Sequence, residues 1–118
     1  MTRPNLEGRR FASVAQSPGS DVTATTVFLF TQRGDLVWAA YAGGGIGHGH
    51  LIGVMDDVGN LDVRFHHVTT GGALKSGTTR STYARTADGR IAYLETWTWT
   101  TGAIGGGHGR LEEVVTGR

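Results

Sequence analysis

The sequence contains no cysteine, only two prolines and a single lysine, Lys75. Without cysteine the chain forms no disulfide, offers no thiolate nucleophile and holds no cysteine-ligated zinc. The 11 Lys+Arg residues nearly balance the 10 Asp+Glu residues, and the arginines are scattered, so we expect no nucleic-acid or anionic-membrane partner. Long apolar runs are also missing, at the N-terminus and elsewhere. We therefore expect a cytoplasmic protein without a membrane span or a secretory leader.

Glycine is abundant instead, with 20 residues, and threonines lie among Val, Phe, Tyr and Trp. This mixture favours strands and tight turns. No window of a dozen residues has apolar positions at helical spacing. Turn signals divide the chain into eight segments of strand length, which are residues 9–16, 23–32, 36–42, 46–56, 60–69, 74–86, 90–101 and 108–116.

Short strands joined by hairpin turns predict an all-β fold in a single domain over residues 1–118. About eight strands suffice to close an up-and-down antiparallel β-barrel whose mouth holds one small ligand. Residues 1–8 are expected to form a loose N-terminal arm outside this barrel. A β-sandwich is the alternative architecture.

The stretch GGGIGHGHLIG at residues 43–53 suggests a phosphate loop, a metal site or a strand. A three-residue loop with a bulge at 56–60 sets the register of the hairpin. Leu51 then lies opposite Phe65 on an apolar inner face. Gly47, Gly49 and Gly53 share that face and should leave space inside the barrel.

His48 and His50 occupy the outer face of the same strand, about 6–7 Å apart, with His66 opposite His50. Three imidazoles at this spacing could ligate one metal ion, which would give a metal-dependent enzyme. The pattern fixes no carboxylate at the site, however, and solvated histidines are the simpler interpretation. The phosphate loop fails because no G-x-G-x-x-G register exists and no helix follows. We therefore expect neither a metal site nor a cofactor.

The remaining strands place aromatic and polar side chains on a common inner face. Phe28, Phe30 and Gln32 share a face that Tyr41 opposes across a hairpin. In residues 91–101 the inner face contains Tyr93, Glu95, Trp97 and Trp99. If the turn at 88–89 has a three-residue loop, that face is opposed by Gly77, Thr79, Ser81 and Tyr83.

Glu95 is the most informative of these residues, because a carboxylate among aromatic rings must find a partner or raise its pKa. His67 lies on the inner face with Phe65 and is a second inward polar group. The simplest interpretation is that such groups satisfy one another in a packed core. Taken together, inward polar groups among many aromatics are typical of a ligand pocket. The predicted ligand-binding residues are Phe28, Phe30, Gln32, Phe65, Ser81, Tyr83, Tyr93, Trp97 and Trp99.

Two resemblances add to this interpretation. One rests on F-x-F-x-Q (28–32), Y-x-G-G (41–44), G-x-L-I-G (49–53), R-F-H (64–66), E-x-W-x-W (95–99) and L-E-E (111–113). This combination, from Phe11 to Val114, resembles a family of short bacterial proteins often labelled N-acetylglutamate synthases, which implies acetyl transfer. The meander ending in WTWTTG (97–102) is similar to avidin-like and lipocalin-like (calycin) barrels, which implies small-molecule binding.

Two functions of different class follow. In one, the pocket belongs to a cofactor-independent isomerase or cyclase. Glu95 then acts as the general acid or base on an apolar or aromatic metabolite, assisted by His67 or Tyr41. In the other, the barrel is a non-catalytic carrier that binds the same class of metabolite. Either way the expected partner is a small molecule, and a homodimer is a further expectation.

Overall fold

The structure is a computed structural model that describes residues 2–115. Eight antiparallel strands follow one another around a closed barrel, and the last pairs with the first. The strands are β1 (Arg10–Gln16), β2 (Val27–Arg33), β3 (Leu36–Gly43), β4 (Ile46–Met55), β5 (Leu61–Thr69), β6 (Leu74–Arg85), β7 (Ile91–Thr101) and β8 (Gly106–Val114). The predicted up-and-down barrel is confirmed, and the sandwich alternative is wrong.

The predicted segments match the strands closely, with differences at two places. Strand β2 begins at Val27 and not at residue 23, because Thr23 and Thr26 close a turn through two hydrogen bonds of 3.0 Å. Strand β8 begins two residues earlier than predicted, at Gly106, and the final residue of the predicted segment lies outside the described residues. Among residues 2–115, no helix is long and apolar enough to cross a membrane.

The predicted registers of the hairpins are confirmed. Leu51 pairs with Phe65, Phe28 pairs with Tyr41, and Glu95 pairs with Ser81, so the expected side chains share the inner face. Gly47 is an exception. A register shift between Ile46 and His48 buries Ile46 in the core and leaves Gly47 exposed.

The N-terminal arm differs from the expectation that residues 1–8 are loose. In the described part of the arm, Leu6 is completely buried and belongs to the hydrophobic core. Its backbone N–H donates to Oε1 of Gln32 at 2.9 Å, and the Gly8 N–H donates to the Phe30 carbonyl at 2.9 Å. Leu6 packs there because an open barrel end would expose apolar side chains of the core to water. We call this the closed end of the barrel.

Candidate functional site: a cavity inside the barrel

The inward faces of the strands surround a cavity. The volume of this cavity is about 60 Å³. Most of the predicted site residues line it, namely Phe28, Phe30, Tyr41, Phe65, His67, Ser81, Tyr93, Glu95, Trp97 and Trp99. Strand alternation thus brings together aromatic and polar side chains from β2, β3, β5, β6 and β7.

Gln32 and Tyr83 are not among the lining residues, although both have the predicted inward register. The Gln32 amide binds the N-terminal arm and donates to the Gly34 carbonyl at 2.9 Å. The Tyr83 hydroxyl accepts a hydrogen bond from Nε of Arg85 at 2.6 Å. Both side chains are engaged near the ends of their strands, beyond the cavity.

The cavity also includes residues that sequence reasoning missed. Gln16 is the last residue of β1, and Ser20, Asp21 and Val22 belong to the β1–β2 loop, residues 17–26. Alternation along a strand says nothing about the path of a loop, so the sequence held no signal that this loop covers the barrel mouth.

A chain of polar contacts ties this loop to the barrel wall. Nε2 of His67 lies 2.9 Å from Oδ2 of Asp21, and Nδ1 lies 3.0 Å from the Tyr41 hydroxyl. Nζ of Lys75 lies 3.1 Å from the same Asp21 oxygen. Because a carboxylate only accepts, Nε2 of His67 donates the hydrogen bond to Asp21. Gly49 permits this arrangement, since a Cβ there would lie 2.3 Å from the Tyr41 ring.

These contacts also affect the pKa values of Asp21 and Tyr41 at the mouth. Burial acts to raise the pKa of Asp21, but hydrogen bonds from His67 and Lys75 outweigh it and hold that pKa below its usual range. Burial, and then the nearby negative charges of Glu95 and Asp21, raise the pKa of Tyr41. Tyr41 is therefore a neutral hydrogen-bonding group at physiological pH.

Glu95 is the second acidic group of the cavity, and it has a different environment. Burial raises its pKa to about 7, opposed only in part by hydrogen bonding from Gln16. Gln16 also accepts a hydrogen bond from Nε1 of Trp97 at 3.2 Å. Gly109, which pairs with Glu95, makes room for Gln16, because a Cβ at Gly109 would lie 2.3 Å from its amide nitrogen. Within residues 2–115, no Lys, Arg or His nitrogen lies at ion-pairing distance from Glu95.

Aromatic rings form one wall of the cavity. The rings of Trp97 and Trp99 meet edge to face with centroids 5.6 Å apart, and Phe65 approaches Trp99 at the same distance. Phe65 also stacks on the His67 ring at 5.9 Å. Such rings provide flat apolar surfaces whose negative faces also attract positive charge.

The outer histidines form no part of this site. His48 and His66 are exposed, and His50 stacks on His66 with ring centroids 5.9 Å apart, outside the barrel. In the described chain, no three His, Cys, Asp or Glu side chains are grouped so as to hold a metal ion.

Comparison with known protein families agrees with this geometry. The family model described as "Avidin-like protein" matches residues 4–114. The chain belongs to the avidin-like protein family. Membership of this family suggests that the barrel binds a small molecule, and it supports the avidin-like half of the resemblance noted above. The match lends no support to the label N-acetylglutamate synthase. No curated protein and no solved structure matches the chain.

Proposed function

We propose that this protein binds an aromatic or apolar small molecule inside its barrel. The proposal rests on one observation: the cavity combines an aromatic wall at Trp97 and Trp99 with the carboxylate of Glu95, which has no ion-pair partner in the described chain. A purely structural core has no use for such a carboxylate, since its burial opposes ionisation and an apolar residue would pack there without that penalty. A ligand that contacts both features gives Glu95 a role.

The mouth of the cavity supports the same proposal. The β1–β2 loop contributes Asp21 and Val22 to the lining, and the contact of Asp21 with His67 fixes the loop over the entrance. A loop held by polar contacts can open at far lower cost than a strand, because it lies outside the barrel hydrogen-bond ladder. A ligand that enters through this end does not disturb Leu6 at the closed end of the barrel.

Native mass spectrometry of protein purified without added ligand tests the proposal directly. We expect a bound metabolite of low mass that is released by denaturation and that quenches or shifts tryptophan fluorescence when it is added back. The Trp97→Ala variant should lose most of that bound metabolite. If the protein carries no metabolite, and a broad metabolite library leaves its fluorescence and melting temperature unchanged, the proposal is wrong.

Acid–base catalysis is a second candidate function, favoured by the pKa of about 7 at Glu95. A carboxyl group that is half protonated near neutral pH can both accept and donate a proton, as isomerisation or cyclisation requires. Tyr41, hydrogen bonded to His67, could orient the substrate. For such an enzyme, Glu95→Gln should retain binding and lose turnover by about 10²–10⁴-fold. Unchanged turnover in that variant would exclude this function for Glu95.

Self-association as a homodimer is the remaining part of the proposal. The outer face of β3 and β4 pairs Leu36 with Val54 and Trp38 with Ile52, and three of these side chains are substantially exposed. Adjacent exposed apolar side chains of this kind favour a protein interface. We expect analytical ultracentrifugation to give a dimer mass for the unmodified chain and a monomer mass for Ile52→Lys. A monomer mass for the unmodified chain would contradict this.

A further inference from the structure

The two acidic side chains that line the cavity differ in how their charge is balanced. Asp21 is balanced by Lys75, with an Nζ–Oδ2 distance of 3.1 Å, and is hydrogen bonded to His67. Glu95 is hydrogen bonded to the neutral amide of Gln16, and its strand neighbours across the sheet are Ser81 and Gly109. The negative charge of an ionised Glu95 is therefore balanced by no positive group of the described chain.

The cationic groups near the cavity are already engaged. Nζ of Lys75 is held by Asp21 and lies 5.1 Å from the centre of the Trp99 ring. The lining contains no arginine, and His67 uses both ring nitrogens in contacts with Tyr41 and Asp21. An anionic ligand would therefore meet a like charge at Glu95 without a free cation to offset it.

Aromatic residues neighbour Glu95 along its strand. Tyr93 and Trp97 flank Glu95 on the same face of β7, and Trp99 continues that face. An unpaired carboxylate next to indole rings is an arrangement that attracts a positively charged nitrogen through an ion pair and through the ring faces. A neutral apolar ligand would shield the carboxylate from water without providing a counter-ion or a hydrogen bond.

We infer that the ligand is an organic cation, a protonated amine or amidine on an aromatic or apolar frame, whose charged nitrogen pairs with Glu95 beside Trp97. The inference rests on the proposed function, because it names the chemical class of the molecule in that same cavity. The frame packs against the aromatic wall, and the charged end replaces the missing counter-ion.

Matched trios of small molecules provide the test. Benzamidine, benzamide and benzoate have nearly the same shape and carry a positive, a neutral and a negative group, and the 2-naphthyl series repeats the trio on a larger frame. We expect the amidines to bind at least tenfold more tightly than the amides, with no detectable binding of the carboxylates, as measured by isothermal titration calorimetry. Equal or tighter binding of an amide or carboxylate overturns the inference.

Substitution of the carboxylate separates its charge from the shape of the cavity. Glu95→Gln should weaken amidine binding by about 10- to 100-fold, the effect of losing a charged hydrogen bond, and should leave amide binding within a factor of three. Asp57→Asn is the matched control, because it removes one negative charge from an exposed position that is not part of the lining. If Asp57→Asn lowers amidine affinity as much as Glu95→Gln does, the effect is one of net charge and the inference fails.

Proton linkage gives a second, independent readout. The titratable groups that line the cavity are Glu95, Tyr41, His67, Tyr93 and Asp21, and strands β1, β2, β4, β6 and β8 contribute none. A cation favours the ionised form of Glu95, so binding at pH 7 should release about half a proton, measured from calorimetry in two buffers of different ionisation enthalpy. The release should vanish in Glu95→Gln. Proton uptake would show that protonated Glu95 donates to a neutral ligand, and it would overturn the inference.

The outcomes distinguish this inference from the proposed function. If amides, but not amidines, bind and change the tryptophan fluorescence, the small-molecule site stands and the cationic class is wrong. If no member of either trio binds and no metabolite copurifies with the protein, both are wrong.

Discussion

The hydroxyl group of Tyr41 lies 3.0 Å from Nδ1 of His67, and both side chains are buried. Because the other nitrogen of this ring lies 2.9 Å from Asp21, one imidazole joins strands β3 and β5 to the loop over the mouth. The loop position therefore depends on side-chain contacts between groups far apart in sequence. This relationship leads to the first prediction.

Asp21→Asn should loosen the β1–β2 loop. The variant weakens the contact with His67 and removes the ion pair with Lys75, so we expect the protein to be destabilised by about 1–3 kcal/mol. Hydrogen exchange of residues 17–26 should accelerate more than that of the strands. The lowered pKa of Asp21 implies that its stabilisation is present above about pH 4 and is lost as pH falls through that pKa. Exchange equal to that of Asp57→Asn would contradict the prediction.

Glu95 should make stability depend on pH in the opposite direction. Its pKa in the folded protein, about 7, exceeds the ordinary value of 4.5, so the protonated form favours folding. This contribution is fully present below about pH 4.5 and is lost as pH rises through 7, in total about 1–3 kcal/mol. Urea unfolding from pH 4 to 8 should show this decline in the unmodified protein but not in Glu95→Gln. Parallel profiles for the two proteins would mean that Glu95 is well solvated.

Trp97 and Trp38 should respond differently to ligand. Trp97 lines the cavity, whereas Trp38 pairs with Ile52 on the outer face. Trp97→Ala should weaken ligand binding by about 10-fold or more and remove much of the fluorescence change, while Trp38→Ala should alter neither. Titration of each variant with the ligand recovered from the purified protein measures the difference. Equal losses in the two variants would show that binding does not occur at the inner face.

Leu6 should contribute substantially to stability although it precedes the first strand. It is 0% exposed and packs in the core, so Leu6→Ala should destabilise the protein by about 2–4 kcal/mol. Leu94, which is 47% exposed on the outer face, is the matched control, and Leu94→Ala should change stability by less than about 0.5 kcal/mol. Urea denaturation measures both. Similar effects would indicate that the arm is not packed in solution.

Gly77→Ala should disturb the aromatic wall. A Cβ at Gly77 would lie 2.5 Å from the Phe65 ring and 2.4 Å from the Thr98 carbonyl oxygen, so we expect a destabilisation of about 1–3 kcal/mol and altered near-ultraviolet circular dichroism. Gly71→Ala serves as the control, because its nearest neighbouring atom would be 3.9 Å away. If both variants melt at the temperature of the unmodified protein, the protein accommodates a Cβ at Gly77 and the prediction is wrong.

Local sequence patterns determined most of the barrel. Turn residues separate eight segments in which side chains alternate between two faces. This alternation places Glu95, Trp97 and Trp99 on the inner face of one strand. It places Phe65 and His67 on the inner face of another. The period of two and the short hairpin loops fix register between neighbouring strands, so the inner face follows from local chemistry. This is why the core of the candidate site was predictable.

The tertiary structure decided the features that lie in the loop and the N-terminal arm, where side chains do not alternate between two faces as they do in a strand. Alternation does not define the path of the loop that brings Asp21 to His67, or the folding of Leu6 into the barrel end. Nor does it say where along the inner face the cavity stops, and this is why Gln32 and Tyr83 share the face but not the lining. These positions follow from the closure of the barrel, which brings residues distant in sequence into contact and leaves each end to be filled by whichever loop or arm can cover it.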